Sequence, residues 1–157
     1  MMWTDNTYRV VFFGHRNFND HRTVDEKFLP LLKRLFLEKP YVELYIGRNG
    51  EFDIYAAMLV KHAQNAMGKA NNELIAVFPY TQKHMEYFQN YYDTIIIPEC
   101  SQMSHPKYAI TKRNKWMVEQ ADLFVCYVKY KKGGAYTALK YAKKLNKEIV
   151  NLAEDKI

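Results

Sequence analysis

The feature that most constrains the fold is an alternation. Short apolar runs, most of them closed by glycine or proline, are separated by stretches with the spacing of amphipathic helices. The runs lie at 8–13, 42–46, 73–78, 94–97, 122–128 and 148–152. The run at 122–128 is continuously apolar after one acid, as a strand covered on both faces must be. Parallel strands cannot be joined by a tight turn and need a crossover, usually a helix. The alternation therefore predicts an α/β fold: a Rossmann-like, doubly wound, mostly parallel sheet with helices on both faces. No repeat, linker or low-complexity segment interrupts it, and 157 residues suffice for one domain with its own core, so a single domain over 1–157 is expected.

The helical segments carry their own signals. Over 23–38, Val24, Phe28, Leu31, Leu32, Leu35 and Phe36 recur at amphipathic spacing. Pro30 leaves two readings open, a kink or a helix whose regular part starts near it, and Pro40 is the stop. After Asp53, Tyr55, Leu59, His62, Ala63 and Ala66 are placed on one side, with His62 as a packed histidine. A short helix is expected over 83–92, a loop over 99–107 and a helix over 107–121. Beyond Gly134, a last helix sets Ala135, Ala138, Leu139, Ala142 and Leu145 on one face.

Three strand ends run straight into glycine turns: Gly14-His15-Arg16, Gly47-Arg48-Asn49-Gly50 leading to Asp53, and Lys132-Gly133-Gly134-Ala135. In a parallel sheet these turns share one edge, where ligands of open α/β sheets bind. Glycine admits close approach to the backbone, and a helix N-terminus offers unpaired amides to an anion. Arg113, Asn114 and Met117 sit at helical spacing, which puts two polar groups beside an apolar anchor. Asp53 falls in the first turn of a helix. It either caps that helix or accepts from a ribose hydroxyl, and the sequence leaves both open. None of the turns matches the dinucleotide fingerprint or the P-loop.

Composition narrows the partners. Hydrophobic content is 48% and charged content 25%, ordinary for a globular chain. No apolar run approaches the ~20 residues that span a bilayer, and the first seven residues lack the layout of a signal peptide, so no membrane partner and a cytoplasmic location are expected. The net charge of +6 permits an anionic partner without identifying one. Lys140, Lys143, Lys144 and Lys147 read as a solvated helix surface. Cys100 and Cys126 form no disulfide framework, and Cys100 with His105 lacks the further ligands a metal needs, so neither a metal nor a cofactor is expected.

Gly14-His15-Arg16, Gly47-x-x-Gly50-x-x-Asp53, Arg113-Asn114-x-x-Met117, Tyr127-Val128 and Gly133-Gly134-Ala135 together resemble the SLOG family over nearly the whole chain. These Rossmann-like proteins are grouped with the DNA-processing protein DprA and the Lonely guy enzymes. The likeness is greatest to small bacterial and phage members, including the YpsA-like group. The resemblance implies a pocket for a nucleotide or nucleotide-derived ligand. Its wall would be Gly14, His15, Arg16, Gly47, Asn49, Gly50, Asp53, Arg113, Asn114, Lys132, Gly133, Gly134, Ala135 and Thr137.

Lonely guy enzymes cleave the base from a nucleoside monophosphate with an Arg-Lys-x-x-Met helix and a Pro-Gly-Gly-x-Gly-Thr-x-Glu-Glu turn. Arg113 and Met117 match the first motif, with Asn114 for Lys. In the second, Gly133, Gly134 and Thr137 are kept, while Lys132, Tyr136, Leu139 and Lys140 replace the Pro, the third Gly and the two acids. An oxocarbenium-like state wants a carboxylate nearby, which Glu51 or Asp53 would have to supply beside Arg113, with Glu119 less well spaced. The expected function is therefore binding or sensing of a nucleotide-type small molecule. The alternative is a nucleoside-monophosphate N-glycosidase. A third reading is single-stranded nucleic acid binding, though most of the tyrosines fall where core packing would use them. Oligomeric state is left open: the Ala-rich face after Gly134 could pair two copies into a homodimer or larger homo-oligomer, or could equally cover the sheet.

Overall fold

A computed structural model describes residues 6–154; the signal-peptide expectation for the first residues and the extreme end of the polar tail lie outside these. The elements are β1 (Thr7–Gly14), α1 (His21–Glu38), β2 (Tyr41–Ile46), α2 (Glu51–Met67), β3 (Asn72–Val77), α3 (Met85–Tyr91), β4 (Thr94–Ile96), α4 (Glu99–Gln102), α5 (Pro106–Gln120), β5 (Leu123–Tyr127), α6 (Gly133–Lys144) and β6 (Glu148–Asn151). The six strands form one sheet in the order β4-β3-β2-β1-β5-β6. Every pairing is parallel. The sheet is thus a Rossmann-like α/β layer, fully parallel rather than mostly so.

Two apolar layers cover it. Alternate residues of the strands (Val10, Phe12, Leu44, Ile46) pack with α1 and α2. Their neighbours (Val11, Phe13, Tyr45, Phe124) pack with α5 and α6. This period of two is what a strand must show when both its faces are buried. The strand order reverses direction between β1 and β5, whose following helices, α1 and α6, lie on opposite faces. The two chains diverge there and leave a crevice at the carboxyl edge.

Several sequence expectations are corrected. α1 starts at His21 and continues through Pro30 without breaking. Pro30 lies on the exposed side, where water can satisfy the carbonyl it leaves unpaired, while Phe28, Leu31 and Leu32 hold the buried side. His62 and Ala66 are exposed, not packed. Phe52, wholly buried, sets the phase of α2, and the inward face runs through Ala56, Ala57, Leu59, Val60 and Ala63. The stretch 99–107 is not a plain loop: it holds the single turn α4 and the start of α5, where His105 Nδ1 accepts the Lys107 N–H at 3.1 Å and Pro106 takes the first helical position. Leu145 lies past the end of α6 and is partly exposed. No helix among the described residues is long and apolar enough to cross a membrane.

Candidate functional site

The crevice predicted by the strand order is a cavity of about 320 Å³. That is within the size range of small-ligand sites. Its wall brings together Gly14, His15 and Arg16 after β1, Gly47 and Asn49 after β2, Asp53 on α2, Arg113 and Asn114 on α5, and Gly133, Gly134 and Ala135 opening α6. The rest of the wall is apolar: Phe12, Phe13, Ile110 and Met117.

Arg113 dominates the chemistry. It is 2% exposed, the largest of the fully buried side chains. Nη1 donates to the Val77 carbonyl at 2.6 Å and Nε to Asn114 Oδ1 at 2.8 Å. Nη2 has no protein acceptor among the described residues, and since no fully buried side-chain nitrogen there is unsatisfied it keeps an opening, which the place of Arg113 in the cavity wall supplies. Burial pushes the guanidinium down to about 10, and the Asp53 charge opposes that only in part. An arginine taken out of water without a full set of partners is costly, and such groups concentrate where an anion is to be met.

Asp53 keeps a fraction of its surface in the cavity while protein surrounds the carboxylate. Burial pushes it up to about 6, against the Asn49 N–H it accepts at 3.0 Å and the charge of Arg113. Arg113 and Asp53 flank Gly47: a Cβ there would lie 3.2 Å from Arg113 Nη1 and 3.3 Å from Asp53 Oδ2. Gly47 is thus what lets both charges reach the sheet edge together.

Across the cavity stands the N-terminus of α6. Lys132 in the N-cap position makes no side-chain cap, and Gly133 has φ 89°. Only glycine holds that left-handed conformation without strain, and it keeps the first amides of the helix open to the cavity. Asn114 lies over Gly134, with Nδ2 3.8 Å from where a Cβ would be.

Other expected wall residues have different work. Gly50 lies outside the cavity; a Cβ on it would fall 2.5 Å from Arg16 Cα, so it lets one turn cross the other. Glu51 is also outside. Its Oε1 accepts the Phe18 N–H at 3.0 Å, and its own N–H donates to the Arg16 carbonyl at 2.8 Å. Glu119 accepts the Tyr141 hydroxyl at 2.6 Å on the outer side of α5. Thr137 donates to the Gly133 carbonyl at 3.1 Å, beside a shallow hollow between α5 and α6. Lys132 lines a neighbouring cavity.

His15 is a latch as well as a wall. Its Nε2 accepts the N–H groups of Lys129 at 2.8 Å and Tyr130 at 3.0 Å, so the neutral ring carries its proton on Nδ1. Burial, and then the Lys132 charge, hold its pKa below the ordinary value of 6.5. A base with a lowered folded-state pKa stabilises the structure above its unfolded value and loses that contribution as pH falls through the folded one. The Lys129 and Tyr130 amides are therefore expected to be protected from hydrogen exchange at pH 7.5. They should lose protection selectively on acidification below the ordinary histidine value of 6.5, and His15→Phe should remove it throughout. Equal protection in the variant would show that the latch holds nothing.

The fold places the chain among known structures. No family model and no curated protein sequence matches it. The structure of DNA processing protein A (DprA) from Streptococcus pneumoniae superposes on 90% of the chain with a TM-score of 0.66 at 15% identity. The DprA structure from Helicobacter pylori, determined to show its single-stranded DNA binding mode, covers 92% at a TM-score of 0.62 and 18% identity. The chain thus shares its fold with these DprA structures, in keeping with the resemblance read from the sequence. The chain spans 49% of the length of the first of these proteins and 65% of the second. At these identities it is the backbone fold alone that is shared.

On that backbone, the apolar wall beyond Met117, formed by Phe12, Phe13 and Ile110, is what sequence reading missed. Ile110 is three residues before Arg113 and so shares its face, and Phe13 is the last apolar residue before the first glycine turn. Both signals were present in the spacing. Among the described residues no group of three or more His, Cys, Asp or Glu side chains is placed to hold a metal ion.

Proposed function

We propose that the cavity binds a nucleotide or nucleotide-derived small molecule by its phosphate. The observation that carries this is Arg113: a buried guanidinium with one nitrogen left to a cavity that also receives the uncapped N-terminus of α6. Charge, a fork of donors and a helix dipole aimed at one place are the means by which proteins hold phosphate. Asp53, beyond Gly47, accepts from a ribose hydroxyl, and the apolar wall of Phe13, Ile110 and Met117 takes the base.

Binding is favoured over hydrolysis of the N-glycosidic bond. Among the described residues Asp53 is the one acid of the cavity wall, and Glu51 and Glu119 are engaged elsewhere. A second reading, a nucleic-acid strand in the same crevice, is supported by the shared backbone with a DprA structure whose protein binds single-stranded DNA, and by the net charge of +6.

Native mass spectrometry of freshly purified protein, followed by calorimetry with nucleoside monophosphates, tests the proposal. Expected are 1:1 binding of a mononucleotide and no release of free base on incubation. Base release would replace binding with hydrolysis. Failure of every mononucleotide and of inorganic phosphate to bind would overturn the phosphate site. For the strand reading, affinity must fall steeply with salt, because phosphate contacts release counterions.

A further inference from the structure

Gly133 does not lie at the end of the crevice. A second cavity of about 350 Å³ shares His15, Arg16 and Gly133 with the first. A third, about 340 Å³, shares His15, Asn17 and Tyr130 with the second. A phosphate on the α6 amides would therefore sit at a junction, with open space on either side. The far side is built for more of the same anionic ligand. Arg16 and Lys132 line the second cavity and Lys129 the third, and among the described residues no carboxylate lies within ion-pair distance of any of them. Asp20, the acid in the lining of the third cavity, accepts the Tyr127 hydroxyl at 2.7 Å and also feels the Lys129 charge, which leaves Arg16 and Lys132 as the cations without a nearby acid.

Between the basic groups stands Tyr130, 55% exposed and lining both cavities. Its amide is fixed by His15 Nε2, and the His15 ring backs it at 5.3 Å between centroids. Its remaining ring surface is open. A fixed aromatic ring beside basic side chains is the arrangement on which nucleobases stack.

We propose that the ligand is a phosphate-bridged pair of nucleosides, with the first in the Arg113 cavity, the bridge at Gly133 and the second ring on Tyr130. This rests on the nucleotide reading of the first cavity and extends it to the class of ligand. The length of the crevice past the phosphate, not the phosphate site itself, carries it.

Calorimetry on the full chain compares AMP and GMP with the linked dinucleotides pApA and pGpG. The dinucleotide should bind about tenfold more tightly, the value of one base stacked on an aromatic ring. Tyr130→Ala should abolish that gain while leaving mononucleotide affinity unchanged, and Tyr130→Phe should retain it. Equal affinity of the two ligands for the native chain, or a Tyr130→Ala loss shared by both, would overturn the second subsite and leave the first standing. Failure of both ligands to bind would instead remove the nucleotide reading, and the second subsite with it. A dodecamer of deoxyadenylate identifies the source. Further tightening that collapses with salt marks a strand as the natural ligand, and no further tightening marks a free dinucleotide. The second subsite stands in either case.

Discussion

Arg113→Met weakens binding of a phosphate-bearing ligand by about a hundredfold. Hydrogen bonds to a charged group contribute roughly 1.5–3 kcal/mol, and 1.4 kcal/mol is a factor of ten. Methionine keeps the length and apolar stem of the side chain but offers nothing to an anion. The fold survives for a reason visible in the site. Asp53, already pushed up to about 6 by burial, loses the one nearby cation and rises further, so it becomes neutral instead of remaining as an orphaned charge. An acid with a raised folded-state pKa gives stability that is present at low pH and lost as pH rises through that pKa. The variant should therefore lose more stability at pH 8 than at pH 5 relative to the native chain. Calorimetry and urea unfolding at the two pH values check both halves. Undiminished affinity would take Arg113 out of the site.

Gly14→Ala destabilises the protein by about 3 kcal/mol, the upper part of the usual cost of overpacking. The added Cβ would lie 2.1 Å from Phe52 Cγ and 2.3 Å from Cδ2. Phe52 cannot swing away. It is fully buried, edge-on to Phe18 at 5.5 Å and near-parallel to Tyr127 at 6.2 Å. A chain of this size should show a melting temperature lower by roughly 10 °C. Phe52→Ala alone should cost about 3–5 kcal/mol through the cavity it leaves. Combined, the two changes should cost clearly less than their sum, because the methyl group then occupies space the ring has vacated. Additive costs in that cycle would show that Gly14 is not packed against Phe52 in solution.

Those two residues mark where sequence reading stops. Gly14, Gly47, Gly50, Gly133 and Gly134 all stand at strand-to-helix turns, and the alternation of apolar runs was enough to place those turns on one edge of a parallel sheet. Their separate reasons were not legible. Gly14 makes room for Phe52, Gly50 for the backbone of Arg16, and Gly47 for a guanidinium and a carboxylate, each supplied by a segment far away in the chain. Gly133 alone is explained by its own dihedral angle. The acids divided the same way. Asp53 and Glu51 are two residues apart and looked equivalent, yet one lines the cavity and the other ties down Phe18. The tyrosines also separate only in three dimensions: Tyr45, Tyr92 and Tyr127 are buried, whereas Tyr80, Tyr87, Tyr108 and Tyr130 are exposed.

The sequence by itself determined the order and type of the main elements, the parallel sheet and the edge that carries the cavity. Those follow from hydrophobic period and turn chemistry, which are local. The tertiary structure decided that α2 turns His62 outward, that His15 latches the loop before α6, and that Arg113 loses its water while keeping one nitrogen for the cavity. Burial and hydrogen-bond partners are set by residues distant in the chain, so no local pattern encodes them.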